Sequence, residues 1–219
     1  MAQVFRRRMN TIARVGFVTV LLILPLTTLF GTYGVLRSSW QTKEGLFIGQ
    51  TIPFSHEHHV RGLGIDCRYC HTGVESSAYA GIPATKTCMT CHSRVWLDSP
   101  LLAPVRTSWD TGQPLVWNKV NVLPDYVYFD HSIHVQKGVG CTECHGQVDA
   151  MPLMKKGASL QMRWCLECHR HPEDRLRPRG QVFNMAWTPP ADQRQAGLNL
   201  VHKYHVDVHQ IQNCSVCHR

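Results

Sequence analysis

The pentapeptide Cys-x-x-Cys-His occurs five times, at Cys67–His71, Cys88–His92, Cys141–His145, Cys165–His169 and Cys214–His218. These copies use all ten cysteines of the chain. The pattern is the attachment signature of a c-type haem. Both thiols add to the haem vinyl groups, and the adjoining imidazole meets the iron from the proximal side. The spacing sets the two sulfurs on one side of a helical turn. Other uses of the pattern fit worse. Zinc sites take Cys pairs two at a time, and five pairs do not divide that way. Disulfides and dithiol redox pairs have no need of a following His. With 14 His in 219 residues, chance would place one after all five pairs in about one sequence in a million.

Five haems on this chain leave one motif for about every 30 residues of the stretch that carries them. So sparse a polypeptide cannot build a large aliphatic core, and the porphyrins must supply much of it. Twelve Pro and sixteen Gly favour short helices and many loops. The expected fold class is a mainly α and coil multihaem cytochrome c. Its core is packed with haem, regular secondary structure is limited, and one N-terminal transmembrane helix is added.

That helix is expected over residues 15–36, which carry no charge and lie between Arg14 and Arg37. At about 1.5 Å per residue it reaches about 33 Å, enough to span a bilayer, with Pro25 as a tolerated kink. Four Arg precede it (Arg6, Arg7, Arg8 and Arg14), which places residues 1–14 as a cytoplasmic tail. A cleaved signal peptide would have a shorter apolar run ending in small residues. Residues 37–219 are then expected on the periplasmic side of the inner membrane. The net charge of +8 does not argue for nucleic acid. Half of it comes from the tail, five haems would add about ten propionate charges, and no compact basic patch with interleaved aromatics is present.

Two stretches repeat. Phe54-x-His56-x-x-His59-Val60 leads through Gly62 and Gly64 to Cys67, and Phe129-x-His131-x-x-His134-Val135 leads through Gly138 and Gly140 to Cys141. His residues three apart stand on adjacent turns of a helix and can reach neighbouring haems. The repeat resembles the lead-in of class III multihaem cytochromes c. In that class the first His is the distal ligand of the next haem and the second serves another. The resemblance implies that His56 completes the haem at 67–71 and His59 the haem at 88–92. It likewise implies that His131 completes the haem at 141–145 and His134 the haem at 165–169. For the last haem the class pattern points to Met162, three residues before Cys165. His171, His202, His205, His209, Met151 and Met154 stay open as alternatives. His202, His205 and His209 are spaced to share one helical face. A Met ligand would raise the potential of its haem.

The resulting plan has a two-haem unit over about 54–92, a linker over 93–128 and a three-haem unit over about 129–219. The linker holds Trp96, Trp109 and Trp117, which suit either haem faces or a docking surface. The loop 170–200 carries Arg175, Arg177, Arg179 and Arg194, which suit either propionate pairing or solvent. No nucleotide loop, triad or carboxylate pair stands out, and the supply of His and Met allows every iron six ligands. Such haems transfer electrons and bind no substrate, so no independent catalytic site is expected.

As a whole the chain resembles the pentahaem cytochrome c subunit of bacterial alternative complex III. The resemblance rests on the anchor, the five motifs, both His lead-ins, Ala80-Gly-Ile-Pro83 and Met162-Arg-Trp-Cys165. It implies an electron relay from quinol oxidation to a periplasmic acceptor. It also implies three kinds of partner: an iron–sulfur/molybdopterin-like subunit, polytopic quinol-binding subunits and a monohaem cytochrome c. The rival reading is a membrane-anchored multihaem quinol dehydrogenase feeding a periplasmic reductase. Members of that group have four haems and a Met soon after the first motif, where this chain has Thr72-Gly-Val74. A zinc-knuckle scaffold is the reading from another class.

Overall fold

A computed structural model of the chain describes residues 6–218. Residues 1–5 of the expected tail, and Arg219, lie outside the described residues. The chain divides into two units, Met1–Lys43 and Glu44–Arg219.

In the first unit one helix runs from Arg7 to Arg37. It starts earlier than the apolar run itself, because nothing between Arg8 and Arg14 interrupts a helix. Its 31 residues extend about 46 Å, beyond the thickness of a bilayer core. Pro25 lies inside it. Just beyond, Thr27 donates to the Ile23 carbonyl at 2.8 Å and Thr28 to the Leu24 carbonyl at 2.8 Å. Such back-bonding hydroxyls satisfy carbonyls near a proline in an apolar helix. The stretch Arg8–Arg37 is long and apolar enough to cross a membrane, and none of it is buried inside the protein. A short turn, Ser39–Thr42, follows and ends at Lys43 in the left-handed region.

The second unit is helical and irregular, and no β-strand forms among the described residues. Each haem motif opens or closes a helical turn. Cys67–Cys70, Cys141–His145 and Cys214–Cys217 begin at the first Cys. In Thr85–His92 and Met162–Arg170 the motif forms the C-terminal end. Among the described residues the buried apolar side chains are Ile52, Val74, Val105, Met151, Ala158, Leu176, Val182 and Tyr204. That is a very small core for a unit of this length. The fold is thus mostly helix and coil.

The most continuous polypeptide packing surrounds Arg177. Its main chain donates to Gly138 at 2.9 Å, and Cys141 donates to Val182 at 3.2 Å. The Arg177 side chain, 1% exposed, reaches Glu143 at 2.6 Å and Thr142 at 2.9 Å and lies 4.2 Å over Trp187. The loop after the fourth motif is therefore a buttress behind the third. Of the two uses expected for its arginines, solvent exposure does not hold for Arg177: Nη2 goes to Glu143 and Thr142, and Nε and Nη1 are buried without a partner. The helix Gln193–Lys203 closes this region, with Gly197 against the Glu173 carbonyl, where a Cβ would collide. It stops at Lys203, and His205 sits at φ 51. The single helical face expected for His202, His205 and His209 accordingly does not form.

The two His lead-ins are built alike. The Phe54 ring meets His56 at 4.8 Å edge-on and His59 at 4.4 Å stacked. The Phe129 ring meets His131 at 4.8 Å edge-on and His134 at 4.5 Å stacked. They differ in winding, since Glu57–Gly62 is a π-helix and His131–Gln136 an α-helix. The sequence explains why. Cys67 follows His59 by eight residues and Cys141 follows His134 by seven. A π-turn absorbs the one-residue surplus. Gly64 and Gly138 then stand at the same place, three residues before the first Cys, both with positive φ (69° and 84°).

Candidate haem sites

Three histidines of the two lead-ins stand ring to ring with a motif His. The His131 and His145 rings lie 6.3 Å apart between centroids and within 5° of parallel. His134 and His169 lie 6.2 Å apart at 30°, and His59 and His92 lie 6.1 Å apart at 63°. A metal–nitrogen bond of about 2.0–2.1 Å on each side, plus about 1.1 Å from nitrogen to ring centre, separates two trans imidazoles by about 6.3 Å. All three pairs stand at that spacing. Burial first, and His71 next, pull the His56 pKa down to about 4. Burial, then His131 and His71, bring His145 to about 4 as well. His59 and His134 are also lowered, chiefly by burial. A neutral imidazole is the form that binds a metal.

The second nitrogen is also committed in eight of the nine rings. Nδ1 lies within hydrogen-bond distance of a backbone carbonyl at His71 (Gly81, 2.6 Å), His92 (Val95, 3.1 Å), His169 (Ile211, 2.8 Å) and His218 (Tyr126, 3.2 Å). The same holds at His59 (Ser55, 2.8 Å), His131 (Ala78, 2.9 Å) and His134 (Asp130, 2.7 Å). A carbonyl acceptor fixes the proton on Nδ1 and leaves the Nε2 lone pair for the iron. His145 Nδ1 instead meets the Asn121 side-chain amide at 3.0 Å. His56 Nδ1 is buried without a partner.

Short caps hold these rings in place. Asp130 accepts from the Ser132 and Ile133 amides at 2.8 and 3.4 Å, and Ser55 accepts from the His58 amide at 3.1 Å. Asp66 caps the first motif helix through the Arg68 amide at 2.8 Å, while the Arg68 guanidinium holds the Asp66 carboxyl at about 2. Behind the third motif Gly157 runs against the His145–Gly146 backbone, leaving no room for a Cβ.

The cysteine pairs stand beside these rings, in a chain of neighbours. Burial raises the Cys70 thiol, with Cys88 the next cause, and Tyr69 meets Thr90 at 3.0 Å. Burial raises Cys141, with Cys67 the next cause. Burial lifts Cys144 to about 12, with Cys168 and Cys165 next. Burial and then Cys217 raise Cys165. The motifs thus adjoin in the order 88–92, 67–71, 141–145, 165–169, 214–218. Cys91 and Cys214, at the two ends, are exposed.

Met162 occupies the first residue of the helix that ends in the fourth motif and is 66% exposed. His171 lies 3.4 Å from Glu173, which Arg194 also reaches at 3.3 Å. Sequence reasoning missed Asn121, whose linker position carries no motif. It also missed the caps at Asp66 and Asp130, which a polar residue just before a helical turn could have flagged.

Residues 127–219 match the family of cytochrome c7 and related cytochrome c. The chain is also similar to the menaquinone reductase multihaem cytochrome c subunit of Nitratidesulfovibrio vulgaris. Identity is 32% over 123 residues, covering 56% of this chain and 55% of that protein. The chain spans about half the length of this curated relative.

Proposed function

We propose that this multihaem cytochrome c, cytochrome c7-like over residues 127–219, carries five covalent haem c groups and serves as the electron-relay subunit of a membrane quinol-oxidising complex. The observation that carries the reading is the ring spacing of His59–His92, His131–His145 and His134–His169, 6.1, 6.3 and 6.2 Å. Bound haem c supplies a one-electron iron couple. The chain's own residues hold and tune it. Each Cys pair would hold one haem through two thioether bonds, and His71, His92, His145, His169 and His218 would each bind its iron. His56, His59, His131 and His134 are the distal ligands for four irons, and Met162 is assigned to the fifth. Burial keeps the rings neutral, and the carbonyl acceptors orient them. The order of neighbouring motifs makes a single file with ends at 88–92 and 214–218.

The helix Arg7–Arg37 anchors the chain in the inner membrane, N-terminus inside, with the haem unit on the periplasmic side. Its partners are an iron–sulfur/molybdopterin-like subunit, polytopic quinol-binding subunits and a monohaem cytochrome c, as in alternative complex III. A second reading is favoured by the similar protein's name, menaquinone reductase subunit. In it the same file delivers electrons to a quinone. A tagged pull-down in mild detergent tests both. Co-purified subunits with quinol oxidation support the first reading, and quinone reduction from a periplasmic donor supports the second. The chain recovered alone and active would reject both. Intact mass counts the haems directly.

A further inference from the structure

We infer that Asn121 is the positioning residue that sets the iron potential at the Cys141–His145 motif. The inference rests on the assignment of His131 and His145 as an axial pair. Seven of the nine ring nitrogens remote from the irons lie at backbone carbonyls, whose chemistry no substitution changes. His145 alone is held by a side chain, with Asn121 Nδ2 3.0 Å from its Nδ1.

That amide can meet the ring in two senses. With Nδ2 donating into a bare Nδ1, the ring proton sits on Nε2, and the lone pair needed by iron is lost. Turned over, the carboxamide presents Oδ1 to a protonated Nδ1 and leaves Nε2 free. Asn121 Oδ1 is buried and has no other partner. In the turned sense Oδ1 accepts from the ring and Nδ2 takes the buried position in its place. Iron ligation by His145 therefore selects the turned sense.

The backbone just before Asn121 is also held in place. Gln50 clamps Asn118, three residues upstream, by accepting from its amide at 2.9 Å and donating to its carbonyl at 2.8 Å. Asn118 Nδ2 adds a bond to the Gly49 carbonyl at 2.7 Å. The segment cannot slide without breaking all three. An acceptor on Nδ1–H makes the imidazole more basic, which favours the oxidised iron. A carboxylate there would do so more strongly, and an apolar side chain would not do so at all.

The test is a potentiometric titration of the full-length, haem-loaded protein in detergent for wild type, Asn121→Asp, Asn121→Leu and His131→Met. Asp is isosteric with Asn, so the decisive variant keeps the packing. One redox wave should fall in Asn121→Asp and rise in Asn121→Leu, and His131→Met should raise that same wave. If both Asn121 variants shift it the same way, or leave it unmoved while His131→Met moves it, the positioning role is overturned and the ligand pair stands. If His131→Met moves no wave, the ligand assignment itself fails and takes the inference with it.

Discussion

His131 and His145 face each other within 5° of parallel, whereas His59 and His92, at nearly the same separation, are turned by 63°. Parallel imidazoles donate into the same iron d orbital, and crossed ones into two different orbitals. Low-spin ferric spectra separate the two cases. The oxidised protein should therefore show at least one rhombic electron paramagnetic resonance signal and one highly anisotropic signal. His59→Ala should remove the anisotropic component and leave the rhombic one. Loss of the rhombic signal instead would contradict the pairing.

Met162 lies just ahead of Cys165, in a helix that neighbours the last motif. A thioether ligand holds its iron at higher potential than a second imidazole does. Met162→Ala should abolish one high-potential step in a redox titration. Five unchanged steps would remove Met162 from the ligand set.

The Asp130 cap fixes the helical turn that presents both His131 and His134. Asp130→Ala should cost about 1 kcal/mol. In a unit of this size that is about 2–4 °C in the melting temperature. Asp130→Asn should recover most of the loss, and scanning calorimetry reads both.

The acid response of the first motif follows from Asp66, whose carboxyl is held at about 2 against an ordinary 3.8, mainly by Arg68. A depressed carboxyl stabilises the fold above its unfolded value and loses that contribution as pH falls through the folded one. Wild type and Asp66→Asn should thus differ by a constant amount between pH 5 and 8. The two should converge only as pH drops from 3.8 towards about 2. Circular dichroism across an acid titration measures this.

Gly157→Ala would drive a methyl group into the His145–Gly146 backbone. The expected loss is more than about 2 kcal/mol. It should come with selective loss of haem from the Cys141–His145 peptide, read by peptide mass. Gly180→Ala, where a Cβ meets open space, is the control.

Local patterns were legible in the sequence, and features made by distant segments were not. The five motifs announce themselves because haem attachment needs a fixed spacing. The lead-ins at Phe54 and Phe129 are equally visible, since one turn of helix carries both rings. The apolar run around Pro25 marks the long helix, though its start lies among arginines that simply continue the turn. Asn121 was invisible because its partner His145 lies 24 residues on, and Asn118, just before it, is tied to Gln50 and Gly49 far earlier in the chain. Arg177 was read only as one basic residue in a loop, for its partners Glu143 and Trp187 flank it at a distance in sequence. The π-turn at Glu57–Gly62 follows from a one-residue count that matters only once the two repeats are laid over each other.

In each lead-in a single turn of helix carries two His rings, which under the proposed ligation belong to two different redox centres. Mechanically, that turn is a rivet through two plates. The spacing of neighbouring centres is then set by backbone rather than by loops, and thermal breathing of the connections leaves it unchanged. The same economy makes damage correlated. A lesion that unwinds either turn should disable two adjacent centres together, so partial loss of function in this protein should arrive in pairs.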